Sequence, residues 1–143
     1  MYKDKNDKYS IMYVVFKPSP SLNHKYRVVL PDKRSIDFGN SRIPDFTDHR
    51  IPKLMRSHLI GKGAIIPTEV IIEDDPDKIQ RHMLHVDKST EEDWDDMFNR
   101  GYWERWMLWT YPSVHKAKLF MTMRKGILFM PTEENMWFCD NYK

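Results

Sequence analysis

Four of the five tryptophans in this chain fall in one stretch, Asp93–Pro112, DWDDMFNRGYWERWMLWTYP. An indole buries more area than almost any other side chain, so a cluster this dense must form a core or an interface. At about 100° per residue, Tyr102, Trp103, Trp106, Met107, Trp109 and Thr110 share one broad helical face. Glu104 and Arg105 project off that face, and Leu108 is an apolar residue on the polar side. The spacing predicts a helix over 102–109, with Trp103 and Trp106 as core anchors and Trp109 at the edge. Trp94 and Tyr102 join the same set. Pro112 breaks the segment, Ser113 is a suitable N-cap for a helix over 114–124, and Gly126 suits its C-terminal stop.

The rest of the chain supplies what such a centre needs. Its 143 residues suit one domain, and the modest 41% hydrophobic content is offset by 13% aromatics. Charge sums to +2, without the basic excess of a dedicated DNA-packaging protein. The single cysteine, Cys139, rules out an intrachain disulfide and fits a reducing compartment. No apolar run approaches the roughly 18–20 residues of a membrane span. The start, MYKDKNDKYS, lacks the apolar segment of a signal peptide, so a cytosolic location is expected.

Taken in order, residues 1–9 read as a flexible arm and 10–143 as one α+β domain. SIMYVVFK at 10–17, KYRVVL at 25–30 and SIDF at 35–38 have strand composition, with a turn at Pro31–Arg34 between the last two. DFTDHR at 45–50 reads as a loop. Residues 53–59 suit a short helix stopped by Gly61 and Gly63, and TEVIIE at 68–73 suits a short strand. Asp74–Asp77 with its proline starts a helix over 78–86, where Ile79, Met83 and Val86 are spaced i, i+4, i+7. Ser89–Asp93 reads as another helix start, giving Trp94, Met97 and Phe98 one face. ILFM at 127–130 and NMWFC at 135–139 are the final strands. The expected architecture is a small antiparallel sheet packed on helices bearing the Trp cluster.

Catalytic signals are weak. His82 and His85 are i, i+3 on one helix, without zincin spacing or a cysteine pair nearby. Asp45, Asp48 and His49 could do acid–base work, but Asp and Thr in loops more often cap helices. Asp93, Asp95, Asp96 and Glu104 could be nominated for a metal-dependent nuclease, yet acidic residues at helix starts are explained by the macrodipole. Gly61-Lys62-Gly63 is too short for a phosphate cradle. Arg100, Arg105, Lys116 and Lys118, with Arg124 and Lys125, lie near the rings and are candidate nucleic-acid contacts. Because the rings share one helical face, burial is favoured over base stacking. The expectation is no catalytic residues, no metal ligands and no cofactor.

KYRVVL, SIDFG, DFTDHR, DPDKIQRHMLH, EDW and above all GYWERWMLWTYPS at 101–113 resemble a family of small proteins of large nucleocytoplasmic DNA viruses, across about residues 25–120. Relative to that pattern, Ile51–Asp74 reads as an insertion, and Leu84 stands before His85 in place of a basic residue. The resemblance implies a viral origin and no transferable activity. Such viruses build icosahedral capsids from a major protein cemented by small minor ones. The expected role is therefore a non-enzymatic minor capsid or cement protein, assembled in the host cytoplasm into the virion. Its partners would be the major capsid protein and other minor capsid proteins, with terminal strands available for β-augmentation. A nucleic-acid-binding accessory protein is the alternative, and a small metal-dependent nuclease the second.

Overall fold

The structure, a computed structural model, describes residues 2–3 and 9–133. The strand expected at 135–139, with Cys139, lies outside the described residues, as does most of the expected arm. The chain is α+β and divides into two compact units, Met1–Arg42 with Lys118–Lys143, and Ile43–Ala117.

The first unit is built on a four-stranded sheet of order β5-β4-β3-β6, comprising β3 (Met12–Pro18), β4 (His24–Val29), β5 (Ser35–Asn40) and β6 (Ile127–Met130). Two short strands, β1 (Tyr2–Lys3) and β2 (Tyr9–Ser10), pair separately. Two hairpins join β3, β4 and β5 in antiparallel order. The Pro31–Arg34 turn forms as expected, with Lys33 at φ 74 and its N–H donated to the Leu30 carbonyl.

The sheet is mixed, not antiparallel as expected, because β6 runs parallel to β3 with Met12 beside Ile127. Helix α6 (Val114–Lys125) delivers the chain to that edge. Gly126, at φ 68, turns it, and the Gly126 carbonyl accepts from Met12 N–H at 2.9 Å. A parallel strand needs a long crossover, here everything from β4 to α6, and composition carries no sign of it.

One sheet face is aromatic. Phe16 stacks on Tyr26 at 4.7 Å between ring centres and meets Phe129 edge-on at 6.2 Å, and Phe38 is fully buried beside both Phe16 and Tyr26. Lys118 of α6 sits 4.7 Å above the Phe16 ring. On the other face Arg27 and Asp37 are directly opposed and share two hydrogen bonds of 2.7 and 2.9 Å. This holds the Asp37 carboxyl below its usual range.

The second unit is helical: α1 (Phe46–His49), α2 (Pro52–Gly61), α3 (Thr68–Ile71), α4 (Pro76–Met83), α5 (Arg100–Trp103) and a π-helical turn over Glu104–Leu108. Several sequence expectations fail here, two of them over whole segments. Residues 68–71 form a helical turn, not a strand. Arg56 of α2 donates to the Val70 and Glu73 carbonyls, both at 2.7 Å, which holds the end of that turn. Residues 90–99 form successive turns, not a helix. Ser89, Asp93, Asp96 and Asn99 each accept backbone N–H bonds from two or three residues ahead, and such local bonds compete with the helical ladder. Among the described residues no helix is long and apolar enough to cross a membrane.

Candidate functional site

The tryptophan stretch starts where Asn99 caps α5, its side-chain oxygen accepting the Gly101 N–H at 2.8 Å. The chain then widens into i→i+5 bonding through residues 104–108. A π-turn rotates less per residue than an α-turn. The difference brings Arg105 and Leu108, both expected off the apolar face, into the interior at 1% exposure each.

The rings are core. Trp94, Trp103 and Trp106 are at most 1% exposed, Tyr102 2% and Trp109 6%. Each of the first three satisfies its indole N–H: Trp94 on the Glu92 carboxylate at 3.0 Å, Trp103 on the Met97 carbonyl at 2.7 Å, and Trp106 on the Trp94 carbonyl at 2.7 Å. A buried indole without such a partner would be penalised. The turns of residues 92–99 therefore serve as the acceptor frame for the tryptophans.

Arg105 is the charged centre of this core. One guanidinium nitrogen donates to the Trp109 carbonyl (2.6 Å) and Thr110 Oγ1 (2.9 Å). The other donates to the carbonyls of Met83 (2.6 Å) and Val86 (2.9 Å). Its carbon lies 4.6 Å from the Trp106 ring centre and 5.4 Å from that of Trp94. Thr110 returns a bond to the Arg105 carbonyl at 2.7 Å. The planar fork thus ties the end of α4 to the end of the π-turn, a task that needs arginine geometry. Burial pushes the group down to about 9, with Asp87 pulling it back, so it stays charged at neutral pH. Arg105 is therefore not a surface contact for nucleic acid: both terminal nitrogens are bonded inside the core, and its Nε is buried there with no partner among the described residues.

The other basic candidates separate. Arg100 and Lys116 are exposed. Lys118 is half-buried over the Phe16 and Phe129 rings of the sheet unit.

DFTDHR is a capping device, and 46–49 is a helical turn where a loop was expected. Asp45, 3% exposed, caps α1 through Thr47 N–H at 2.8 Å and also accepts from the Thr47 hydroxyl, while Asp48 returns the capping-box bond to Asp45 N–H. His49 Nδ1 accepts from Ile51 N–H at 2.9 Å. This places the His49 ring 5.8 Å from Trp109, whose other neighbour is His58 of α2, stacked at 3.6 Å. His58 was not singled out by the sequence, since its role depends on a residue far along the chain.

The surface feature of this unit is a cleft of about 390 Å³ between the start of α3 and the segment after α4. Ile65, Pro67, Val70 and Val86 make it mainly apolar, and His82 and His85, expected on one helix, both line it, although α4 ends at Met83. Nδ1 of His82 is buried with no partner among the described residues. The cleft adjoins the loop Asp87–Asp95, with which it shares Asp87 and Lys88. No periodic signal reveals it, because it arises where residues 63–65 and 88–90 bond together and then diverge.

A family model described as "Family of unknown function (DUF5754)" matches residues 14–62. That stretch runs from β3 to the end of α2, takes in the DFTDHR cap, and stops before the tryptophan segment. No curated protein and no solved structure matches the chain.

Proposed function

We propose that this chain is a non-enzymatic structural component of a large icosahedral DNA virus particle. Its role would be that of a minor capsid or cement protein, assembled in the host cytoplasm and bridging major capsid subunits. The observation that carries this reading is how the 43–117 unit divides its side chains. Three groups with chemical potential, Arg105, Asp45 and His58, are held by packing partners inside it. Large aliphatic side chains stand outside, among them Ile65 at 58%, Ile71 at 45% and Ile72 at 71% exposure. Apolar side chains in contact with water are the raw material of protein–protein interfaces. The resemblance of GYWERWMLWTYPS to proteins of large DNA viruses supplies the viral setting.

The test is composition and cross-linking of purified particles. Recovery of this chain in intact virions, cross-linked to a capsid protein, supports the role. Its absence from particles, or its confinement to replication sites, overturns it. The alternative, a nucleic-acid-binding accessory protein, rests on the exposed Arg100 and Lys116. It requires binding that falls steeply with salt and is lost in Arg100→Glu and Lys116→Glu.

A further inference from the structure

We infer that the cleft of the 43–117 unit, together with the acidic loop beside it, docks helix α6 of a second copy of this chain. The cleft offers about 390 Å³, the scale of a pocket that encloses a small apolar group. Its rim continues into residues 87–95, which hold Asp87, Glu91, Glu92, Asp93 and Asp95 against one cation, Lys88. Lys88 is already paired with Asp95 at 2.7 Å. Asp87 and Glu91 are exposed and make no ion pair among the described residues. What the cleft accepts must therefore be apolar at its tip and basic around it.

Helix α6 has that composition. Its sequence, VHKAKLFMTMRK, holds no Asp or Glu and four Lys and Arg residues, of which Lys118 lies over the sheet's own rings and Lys116 and Arg124 are exposed. Leu119 is 51% exposed and Met123, one turn further on, 78%. Lys116 precedes Leu119 by three residues, so it borders the same stripe. Lys116 also sits in the first turn of its helix, where the macrodipole disfavours a cation, so its own helix gives it no local reason to be basic. The flexible thioether of Met123 suits an irregular apolar cleft.

Nucleic acid does not fit the cleft half of this pair, since its rim is acidic. The cleft and α6 are different patches of one chain, so the contact is heterologous: each copy gives its helix to one neighbour and its cleft to another. The contact is independent of the capsid role and can be tested without virus particles.

The experiment is sedimentation of the full chain over a range of concentrations at low and high salt. The expected result is concentration-dependent association that weakens as salt rises. Lys116→Glu, and separately the pair Asp87→Lys with Glu91→Lys, should each weaken association about tenfold or more through like-charge repulsion. Mixing the two variants should restore it, because the unaltered helix of one then meets the unaltered cleft of the other, and the reversed helix meets the reversed loop. Met123→Gln should also weaken association, without altering its salt dependence. Circular dichroism and thermal melts establish that each variant is folded. A wild-type chain that stays monomeric throughout overturns the inference. So do folded variants that associate like wild type, or a mixture of folded, monomeric variants that stays monomeric.

Discussion

The imidazole of His58 lies flat on the indole of Trp109, ring centres 3.6 Å apart and planes within 5°. Burial pushes His58 down to about 4, Lys62 adds to this, Asp45 pulls the other way, and His49 lowers it a little further. An ordinary imidazole protonates near 6.5. Between these values the unfolded chain holds a proton that the folded chain does not. This contribution to stability is complete above about 6.5 and is lost as pH falls toward about 4. In His58→Phe, which keeps a flat ring on Trp109, the fall should be shallower. Denaturant midpoints of both proteins, measured from about pH 7 to about pH 4, check this, and equal slopes would remove His58 as the cause.

Arg105 leads to a second expectation. Replacing it with methionine keeps much of the volume but leaves the carbonyls of Val86 and Trp109 without their donor, while that of Met83 keeps only the Val86 N–H. Each buried acceptor left unpaired costs about 1–3 kcal/mol, so a loss above about 3 kcal/mol is expected. Arg105→Lys should recover only part of it, because an ammonium cannot span two pairs of acceptors from one plane. Urea unfolding measures both. Arg105→Glu would lose nucleic-acid binding by unfolding alone, so Arg100 and Lys116 are the residues that test that activity.

How much was legible in the sequence follows from where each signal is stored. The β3–β4–β5 meander, α2, α4, α6 and the core status of Trp103 and Trp106 are written in local composition and spacing, and they were readable. Three features depend on partners distant in sequence. These are the parallel pairing of β6 with β3, the cleft formed where residues 65 and 88 part, and the stacking of His58 on Trp109. The interior position of Arg105 failed for another reason: a helical projection assumes α-geometry, and the π-turn changes the rotation over the residues that matter. The absence of a helix at 90–99 was signalled by its density of Ser, Asp and Asn, residue types that also mark a helix start.

Trp106 should fail as a core residue, not as a reactive one. Trp106→Ala removes a fully buried indole and its bond to the Trp94 carbonyl, with an expected loss of about 3–5 kcal/mol. Trp106→Phe keeps most of the packing but leaves that carbonyl unpaired, a smaller loss of about 1–3 kcal/mol. Thermal melts of the two variants give the order, and a Trp106→Ala protein as stable as wild type would mean that the core is organised elsewhere.

Gly101 sets the last expectation, because its substitution should change sign with its neighbour. A methyl group built on Gly101 would come 2.6 Å from the Glu92 carboxylate, which itself accepts the Trp94 indole N–H at 3.0 Å. Gly101 lies in α5 without a positive φ, so alanine brings a helix-propensity gain of up to about 1 kcal/mol. To make room, however, the carboxylate must leave Trp94, exposing a buried donor at a cost of about 1–3 kcal/mol. Gly101→Ala should therefore destabilise the wild-type protein. In a Glu92→Ala background the clash and the hydrogen bond are both already gone, and the same substitution should be neutral or stabilising. A double-mutant cycle by urea unfolding measures the difference directly. Additive effects would show that Glu92 moves aside without loosening Trp94.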